Sequence, residues 1–271
     1  MYDLCYGVAM RTTQTIAEKV RGARLRSSLS MGDLSRLAGV SQPTVSRIES
    51  GAVTPSAGVY LALLAAAGFY DDGTRIVPVS RPSATWTARW LLGDLDTKPD
   101  DADEWLARWQ RIRLVTDGQQ VADVEGLLFR AGRCAVLSRR PDAVAVSNCE
   151  HLTACQLAAR LADADVECAV TGDEGLERMG APLVAAWPVL YVADLRAAMD
   201  ATGATRLLPG ERDRGRATYI PFDGTSEAGR WRSPEGTWFA SQVQIVLDGY
   251  GGYGRMVEQT EILVKTLEEQ R

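Results

Sequence analysis

Residues 34–51 constrain the fold of this chain most, because their pattern predicts two short helices joined by a tight turn. Ala38 is small enough to let two helices approach closely, and Gly39 can take the left-handed backbone conformation that ends a helix. Ser41 can cap the helix that follows, over residues 42–50, and Pro43 suits its first turn, where no amide partner is lost. The pattern therefore predicts two helices packed at a steep angle.

Further helices are predicted on both sides of this pair. Thr15 and Glu18 can form a capping box that begins a helix ending near residue 28, and Ser30 and Asp33 can form another. A fourth helix is predicted over residues 55–68. The positions expected to face the common core are Ile16, Val20, Ala23, Leu25, Leu34, Leu37, Ala38, Val40, Val45, Ile48, Val59, Leu61, Leu64 and Ala65.

The third of these helices keeps polar side chains on the face that points away from the core, namely Gln42, Thr44, Ser46 and Arg47. Glutamine can bond adenine through two hydrogen bonds, arginine can bond guanine, and serine or threonine can contact a phosphate or a thymine methyl group. The free amides at the start of such a helix suit a phosphate. These residue types predict a helix that enters the major groove of DNA.

The sequence LSRLAGVSQPTVSRIESG, followed by Thr54-Pro55-Ser56, resembles the Cro and phage-repressor-like (XRE) helix-turn-helix family. The resemblance implies a homodimer on palindromic double-stranded DNA. One departure is Met31, because many members have a glutamine there that braces the reading helix and a phosphate. The resemblance implies base contacts for Gln42, Thr44, Ser46 and Arg47, and phosphate contacts for Ser30, Arg36 and Ser41.

Charge and composition are consistent with this interpretation. The net charge of −5 divides into +3 over residues 1–60 and −8 over the rest, so the DNA-binding segment is locally basic. Five cysteines without a CxxC pair favour reduced thiols over disulfides. The apolar runs are shorter than a membrane span, and residues 1–10 contain Asp3 and no basic cluster. We therefore expect a cytoplasmic protein that does not bind membranes.

A length of 271 residues exceeds what one DNA-binding module needs. We predict an all-α helix-turn-helix domain at residues 12–69, a linker at 70–103 and a mixed α/β domain at 104–271. Helices are predicted near residues 85–92, 104–115, 121–131, 151–164 and 195–202. Strands are predicted near 134–137, 143–146, 166–170, 189–192, 206–208 and 218–220.

The last hundred residues show a second pattern. A Thr-Gly pair at 171–172, a WPVLYV segment at 187–192, an SQVQIVLD segment at 241–248 and a Gly-Arg pair at 254–255 together resemble the C-terminal domain of AbiEi-type antitoxins. The resemblance covers residues 166–267. It implies the antitoxin and autorepressor half of a type IV toxin–antitoxin pair, with a cognate toxin as partner.

Four polar residues of this region, Ser241, Gln244, Asp248 and Arg255, are predicted to cluster. Gln244 and Asp248 are four residues apart and therefore lie on one helical face. Arg255 can return across the intervening glycines to pair with Asp248. We interpret this cluster as structural rather than catalytic.

Catalysis is not expected, and neither is a metal or another cofactor. His151 is the only histidine, and its spacing from Cys149, Cys155 and Cys168 matches no common zinc pattern. The glycine-rich residues 249–255 lack the Lys-Ser/Thr pair of a phosphate-binding loop. A DNA-targeted enzyme stays an alternative, although none of the three lysines follows a suitable strand carboxylate.

We expect a sequence-specific DNA-binding transcription regulator that represses its own operon. A second alternative is a ligand-sensing repressor, whose α/β domain would hold a small molecule among aromatic side chains. The aromatic residues considered for that pocket are Trp187, Tyr191, Trp231, Trp238 and Tyr250.

Overall fold

The computed structural model describes residues 14–27, 29–137, 140, 142–182, 187–207, 215–252 and 254–269. The chain divides into two compact units, of which unit 1 ends at Pro78 and unit 2 begins at Val79. Residues 70–103, predicted as a linker, are thus shared between the two units. The predicted domain start at residue 12 and the last two residues, 270 and 271, lie outside the described residues.

Unit 1 consists of short helices followed by a hairpin. The elements are α1 (Ile16–Arg26), α2 (Met31–Ala38), α3 (Gln42–Glu49), α4 (Ala57–Ala66), β1 (Phe69–Asp71) and β2 (Ile76–Pro78). Thr15 with Glu18 and Ser30 with Asp33 form the two predicted capping boxes. Gly39 ends α2 with a φ of 69°, a conformation that glycine adopts without strain. Ser28, the predicted end of the first helix, lies outside the described residues.

The core of unit 1 confirms most of the positions predicted on α2 and α3 and corrects several on α1 and α4. Val20 and Ala23 are buried, but Ile16 is 37% exposed and Leu25 is 55% exposed. Leu25 lies two residues beyond Ala23, which places it on another face of the helix. On α4, Leu61 and Ala65 are exposed, and the buried positions are Leu63, Leu64 and Ala66.

Unit 2 combines helices with one mixed sheet, as predicted. Its helices are α5 (Ser83–Leu91), α6 (Ala102–Arg111), α7 (Val124–Cys134), α8 (Ala154–Asp163), α9 (Gly172–Arg178), α10 (Leu195–Thr202), α11 (Gln242–Tyr250) and α12 (Arg255–Glu269). Its strands are β3 (Val144–Ser147), β4 (Cys168–Thr171), β5 (Val189–Val192), β6 (Arg216–Pro221), β7 (Trp231–Arg232) and β8 (Trp238–Phe239).

The sheet has the strand order β3-β6-β5-β4-β8-β7. Its central strands β4 and β5 are buried along their whole length and pair antiparallel, with Val170 opposite Leu190. Strands β5 and β6 are parallel, as are β4 and β8. A second apolar cluster lies between α5, α6, α7, α11 and α12, where Trp105 and Trp109 are buried.

Two predicted strands of unit 2 differ from the structure. The strand at 134–137 is wrong, because α7 continues to Cys134. The segment at 206–208 contributes an isolated bridge between Arg206 and Val146, and Leu208 lies outside the described residues. Helix α9 was not predicted, since its seven residues are too few to show a clear apolar period. No helix within the described ranges is long and apolar enough to cross a membrane.

Gly132 is the point of closest approach between α7 and α11. A Cβ atom at this position would collide with the backbone oxygen of Leu247 and would lie 2.6 Å from the Cβ of Tyr250. Both atoms are near the backbone and cannot rotate away. The absence of a side chain at residue 132 therefore fixes the spacing of these two helices.

We expect Gly132→Ala to lower the free energy of unfolding of unit 2 by about 1–3 kcal/mol, because the helices must separate or shift. All seven tryptophans lie in unit 2, so urea unfolding followed by tryptophan fluorescence reports on this unit. The matched control is Gly118→Ala, where the nearest atom is a Thr116 hydroxyl at 3.8 Å. Equal unfolding midpoints for the two variants would contradict the close-packing argument.

Candidate nucleic-acid interface

Helix α3 presents most of its polar side chains to solvent. Gln42, Ser46 and Arg47 are exposed, whereas Val45 and Ile48 on the opposite side are buried in the core of unit 1. The helix therefore offers an amide, a hydroxyl and a guanidinium group on its outer side. These groups can donate and accept hydrogen bonds at the edges of DNA bases.

Thr44 differs from these three residues. It is half-buried, and its hydroxyl lies 2.7 Å from the hydroxyl of Ser41 at the helix N-cap. The Ser41 hydroxyl also accepts a hydrogen bond from the Thr44 amide at 3.3 Å. The two hydroxyls thus stabilise the start of α3. If either of them contacts DNA, it must do so while it keeps this hydrogen bond or must give the hydrogen bond up.

Ser30 and Arg36, the other predicted phosphate contacts, both bind Asp33. The Ser30 hydroxyl donates to one oxygen of Asp33 at 2.8 Å, and Arg36 donates to the other at 2.6 Å. The Arg36 side chain is still 46% exposed. It can therefore reach a phosphate while Asp33 holds its orientation, at the cost of a partly neutralised charge.

Gln42 lies beside the first turn of α2. Its side-chain oxygen is 3.7 Å from the point that a Cβ atom of Gly32 would occupy, and a terminal nitrogen of Arg36 is 3.5 Å from that point. Met31, at the position where the resembling family often has glutamine, is 37% exposed. The side chain next to the start of α2 that carries an amide group is therefore that of Gln42, since residue 31 is methionine in this chain.

Arg47 carries an exposed positive charge without a carboxylate partner in the part of unit 1 that the structure describes. Lys19, in contrast, is buried and pairs with Asp71 at 2.7 Å, and the Tyr60 hydroxyl donates to the same oxygen at 2.6 Å. These two hydrogen bonds hold the pKa of Asp71 below its usual value. Lys19 is thus committed to the fold, and Arg47 is available to a ligand.

The Arg24–Glu49 ion pair ties the C-terminal end of α3 to α1. Arg24 donates from two nitrogens to the two Glu49 oxygens at 2.7 and 2.8 Å, and from a third to the Leu29 carbonyl at 3.1 Å. The two side chains are only 12% and 8% exposed. A planar guanidinium bound in this two-pronged way fixes direction as well as distance, so the pair sets the position of α3.

Residues 15–75 match the family model described as a helix-turn-helix domain. The chain carries a helix-turn-helix DNA-binding domain. The match spans α1 to α4 and ends within the β1–β2 hairpin. It supports the interpretation of the protein as a DNA-binding regulator. Comparison of the chain with curated proteins and with solved structures gives no match.

In unit 2, three of the four residues predicted to cluster belong to one buried polar network. Asp248 accepts hydrogen bonds from Gln244 at 2.8 Å, from the Thr171 hydroxyl at 2.6 Å and from the Tyr191 hydroxyl at 3.0 Å. Burial raises the pKa of the Asp248 carboxyl, although the Thr171 hydrogen bond opposes the change. Ser241 caps α11 by accepting from the Gln244 amide at 3.0 Å.

The predicted pairing of Arg255 with Asp248 is wrong. Arg255 is exposed at the start of α12, whereas Asp248 points into the interior. The cation near Asp248 is Arg140, which is 4% exposed and donates to the Tyr191 hydroxyl at 3.2 Å and to Asp223 at 3.0 Å. Sequence spacing gave no sign of Arg140, because it lies more than a hundred residues from α11.

A second buried guanidinium, that of Arg89 on α5, extends this network. Arg89 is fully buried and donates to the carbonyls of Thr225 and Ala228 at 2.7 Å each, and to Gln244 at 3.3 Å. The Asp94 carboxylate accepts hydrogen bonds from both the Arg89 guanidinium and the Ser241 hydroxyl. The donors and acceptors of this network thus bind one another and connect α5, α11 and the loop before β7, which is a structural arrangement.

The aromatic residues considered for a ligand pocket do not share one site. Tyr191 belongs to the core around the sheet, and Tyr250 belongs to the helical core of α7 and α11. Trp187 and Trp238 are 40% and 43% exposed. The Trp231 ring stacks on Phe239 at 4.9 Å. Within the described residues, this distribution gives no support to an aromatic pocket.

The cysteines considered for zinc also differ in their surroundings. Cys149 is exposed, Cys155 is half-buried and Cys168 is buried in the sheet core. Burial raises the pKa of the Cys155 thiol to about 12 and that of Cys168 to about 11. Among the residues that the structure describes, no three His, Cys, Asp or Glu side chains are grouped to hold a metal ion.

We expect Arg24→Met to lower the free energy of unfolding of the helix-turn-helix domain by about 2–4 kcal/mol, because Glu49 is left as a largely buried charge without its partner. The double variant Arg24→Met/Glu49→Leu should recover most of this loss. The measurement is urea unfolding by far-ultraviolet circular dichroism, compared with tryptophan fluorescence, which reports unit 2 alone.

Arg36→Met is the control for this experiment, since the Arg36 side chain is 46% exposed and its pair with Asp33 should contribute less than about 1 kcal/mol. A loss for Arg24→Met no greater than that for Arg36→Met would show that the Arg24–Glu49 pair does not hold α3.

Proposed function

We propose that this protein is a sequence-specific transcription regulator that represses its own operon and reads palindromic double-stranded DNA as a homodimer. The observation that carries the proposal is that Gln42, Ser46 and Arg47 are exposed on the outer side of α3. The inner side of this helix is held by the buried Val45 and Ile48 and by the Arg24–Glu49 ion pair. In this proposal α3 enters the major groove and these three side chains contact base edges.

The small net charge of unit 1 favours sequence-specific binding through base contacts over non-specific electrostatic binding to DNA. Unit 1 has eight basic and six acidic residues, and Lys19 and Arg24 are held by carboxylates inside the fold, while Asp33 partly neutralises Arg36. Few cations are then left for phosphates, so binding at random sequences is weak and specificity depends on base contacts. Two copies on adjacent half-sites supply the affinity that one copy lacks.

Unit 2 is proposed to bind a protein partner or to support dimerisation, and not to catalyse a reaction. It has 22 basic and 29 acidic residues, a balance that suits a basic partner. The resemblance of residues 166–267 to AbiEi-type antitoxins makes the product of a neighbouring toxin gene the partner to test first. Co-purification of that product with the full-length protein would support the antitoxin role. Failure of the two proteins to bind would rule the antitoxin role out.

We expect Arg47→Ala and Gln42→Ala each to weaken binding to the protein's own promoter DNA by about 5- to 150-fold, because each removes a base contact. The measurement is an electrophoretic mobility shift at fixed salt concentration, with a footprint to locate the site. Binding to a scrambled duplex should change much less, since it does not use base contacts.

Arg75→Ala is the matched control, because it removes the same charge from the hairpin turn, where the Arg75 side chain is 68% exposed. Wild-type affinity in both α3 variants would disprove the assignment of α3 as the reading helix. An equal loss in Arg75→Ala would show that net charge, and not base contact, governs binding.

A further inference from the structure

Two cavities on the surface of unit 2 adjoin each other at the turn between β7 and β8. Their volumes are about 500 Å³ and about 400 Å³. Glu235 and Thr237, which lie in this turn, line both cavities, and helix α8 also lines both. The two cavities therefore form one elongated space along α8, which we call the α8 groove.

Small side chains on one face of α8 leave room for the groove. Cys155, Ala158, Ala159 and Ala162 line it, and their spacing places them on a single face of the helix. Ala159 and Ala162 are exposed. These side chains are too short to fill the space beside them.

The sheet leaves space on the other side of the groove. Strand β8 pairs with β4 at one position, Val170 with Phe239. The residues that precede this pair, Cys168 on β4 and Trp238 on β8, line the groove instead of continuing the ladder between the two strands. The groove therefore lies where these two strands separate.

The lining of the α8 groove is strongly acidic. Six carboxylates line it against two arginines, which leaves an excess of four negative charges. The arginines are Arg178 and Arg232. The carboxylates are those of Asp163, Asp165, Glu167, Glu174, Glu177 and Glu235. Such a concentration of one sign of charge along a concave surface attracts cationic groups.

Guanidinium groups of the chain itself already bind in this groove. Arg178 donates to Glu235 at 2.7 Å, and Arg230 donates to Glu167 at 3.3 Å while its guanidinium carbon lies 5.6 Å from the centre of the Trp238 ring. The Arg178 and Glu235 side chains are 36% and 64% exposed. An ion pair as exposed as this is weak, so a guanidinium from another molecule can replace Arg178 at Glu235.

Other carboxylates of the groove are free to bind a cation. Asp163, Asp165 and Glu177 are exposed, and none of them has an ion-pair partner in the part of the chain that the structure describes. Asp163 is also the last residue of α8, where the helix dipole favours a positive charge. Glu174, in contrast, accepts from the Cys155 amide at 3.0 Å and is committed to the start of α8.

We propose that the α8 groove binds an extended, arginine-rich segment of a protein partner, an inference that rests on the proposed role of unit 2 in binding a basic partner. The groove follows α8 from Cys155 to Asp163, a distance of about 12 Å. That length accommodates about four residues of an extended chain. Nucleic acid does not fit, because its phosphates would face the excess of carboxylates.

In this arrangement alternate side chains of the bound segment point into the groove. One guanidinium takes the place of Arg178 at Glu235, and another pairs with Asp163 or Asp165 at the far end of α8. Guanidinium groups suit these positions because they bind a carboxylate through two parallel hydrogen bonds.

The test titrates a fluorescein-labelled peptide of sequence RARARA with the full-length protein and follows fluorescence anisotropy. The salt concentration is about 50 mM, at which surface charges are weakly screened. We expect Asp163→Asn/Asp165→Asn/Glu177→Gln to weaken binding of this peptide by about five- to fifty-fold relative to the wild type.

Asp96→Asn/Asp100→Asn/Asp117→Asn is the matched control, because it removes three exposed carboxylates that do not line the groove. Its affinity should stay within about two-fold of the wild type. An equal loss in the two triple variants would overturn the proposal, since the total charge and not the groove would then govern binding.

Ala162→Trp tests the shape of the groove without changing its charge. We expect the indole to fill the space along α8 and to weaken binding at least about ten-fold. Ala107→Trp is its control, because Ala107 is equally an exposed alanine but lies on α6. Thermal unfolding by circular dichroism checks the fold, and Ala159→Trp replaces Ala162→Trp if the latter does not fold.

Arg178→Met should have the opposite effect, because it frees Glu235 for the peptide. We expect binding to become at least about three-fold tighter than in the wild type. Arg111→Met removes the same charge from an exposed position on α6 and should change the affinity less. A gain in Arg111→Met equal to that in Arg178→Met would contradict competition at Glu235.

A wild type that does not bind the peptide up to about 1 mM protein would overturn the proposal, as would wild-type affinity in Ala162→Trp. The peptide assay contains no DNA, so it separates this inference from the proposed function. A protein that binds promoter DNA but not the peptide would remove the inference alone. A protein that binds the peptide but no promoter DNA would count against the proposed regulator and leave the α8 groove assigned.

Discussion

Each unit of this protein is organised by a guanidinium group, largely buried in unit 1 and fully buried in unit 2, that satisfies its hydrogen-bond donors within the fold. A buried arginine without acceptors would cost several kcal/mol, so the surrounding elements have to supply carboxylates and carbonyls at fixed positions. In unit 1, Arg24 finds Glu49 and the Leu29 carbonyl. In unit 2, Arg89 finds Asp94 and two loop carbonyls. These requirements fix how helices and loops meet.

The consequence for function is a division of labour among charged residues in unit 1. Arg24 and Lys19 are committed to carboxylates inside the fold, which leaves Arg47 as an exposed guanidinium on α3. A rigidly held helix with a few free polar groups suits the recognition of a base sequence, because only these side chains, and not the helix backbone, have to be ordered on binding. The modest net charge of unit 1 is also consistent with recognition through base contacts.

The helices of unit 1 were predictable because their signals are local. Capping boxes, the glycine turn at Gly39 and the apolar spacing all act within a few residues, and the structure confirms them. The faces of α1 and α4 were harder to predict. On α4 almost every residue is apolar, so the spacing cannot distinguish Leu61, which is exposed, from Leu64, which is buried. In unit 2, α9 was missed because its seven residues are too few to show a clear apolar period, and the end of α7 was missed because residues 134–137 were predicted as a strand.

The sequence by itself determined the helix-turn-helix and the residues on α3 that can face DNA, since both follow from short-range capping and helical periodicity. Only the tertiary structure decided which cation approaches Asp248 and which arginines are withdrawn from the surface. Arg140 and Arg89 reach α11 from distant parts of the chain, so no spacing predicts them. Such contacts depend on how the sheet and helices pack, because burial makes an unpaired charge too costly to leave in place.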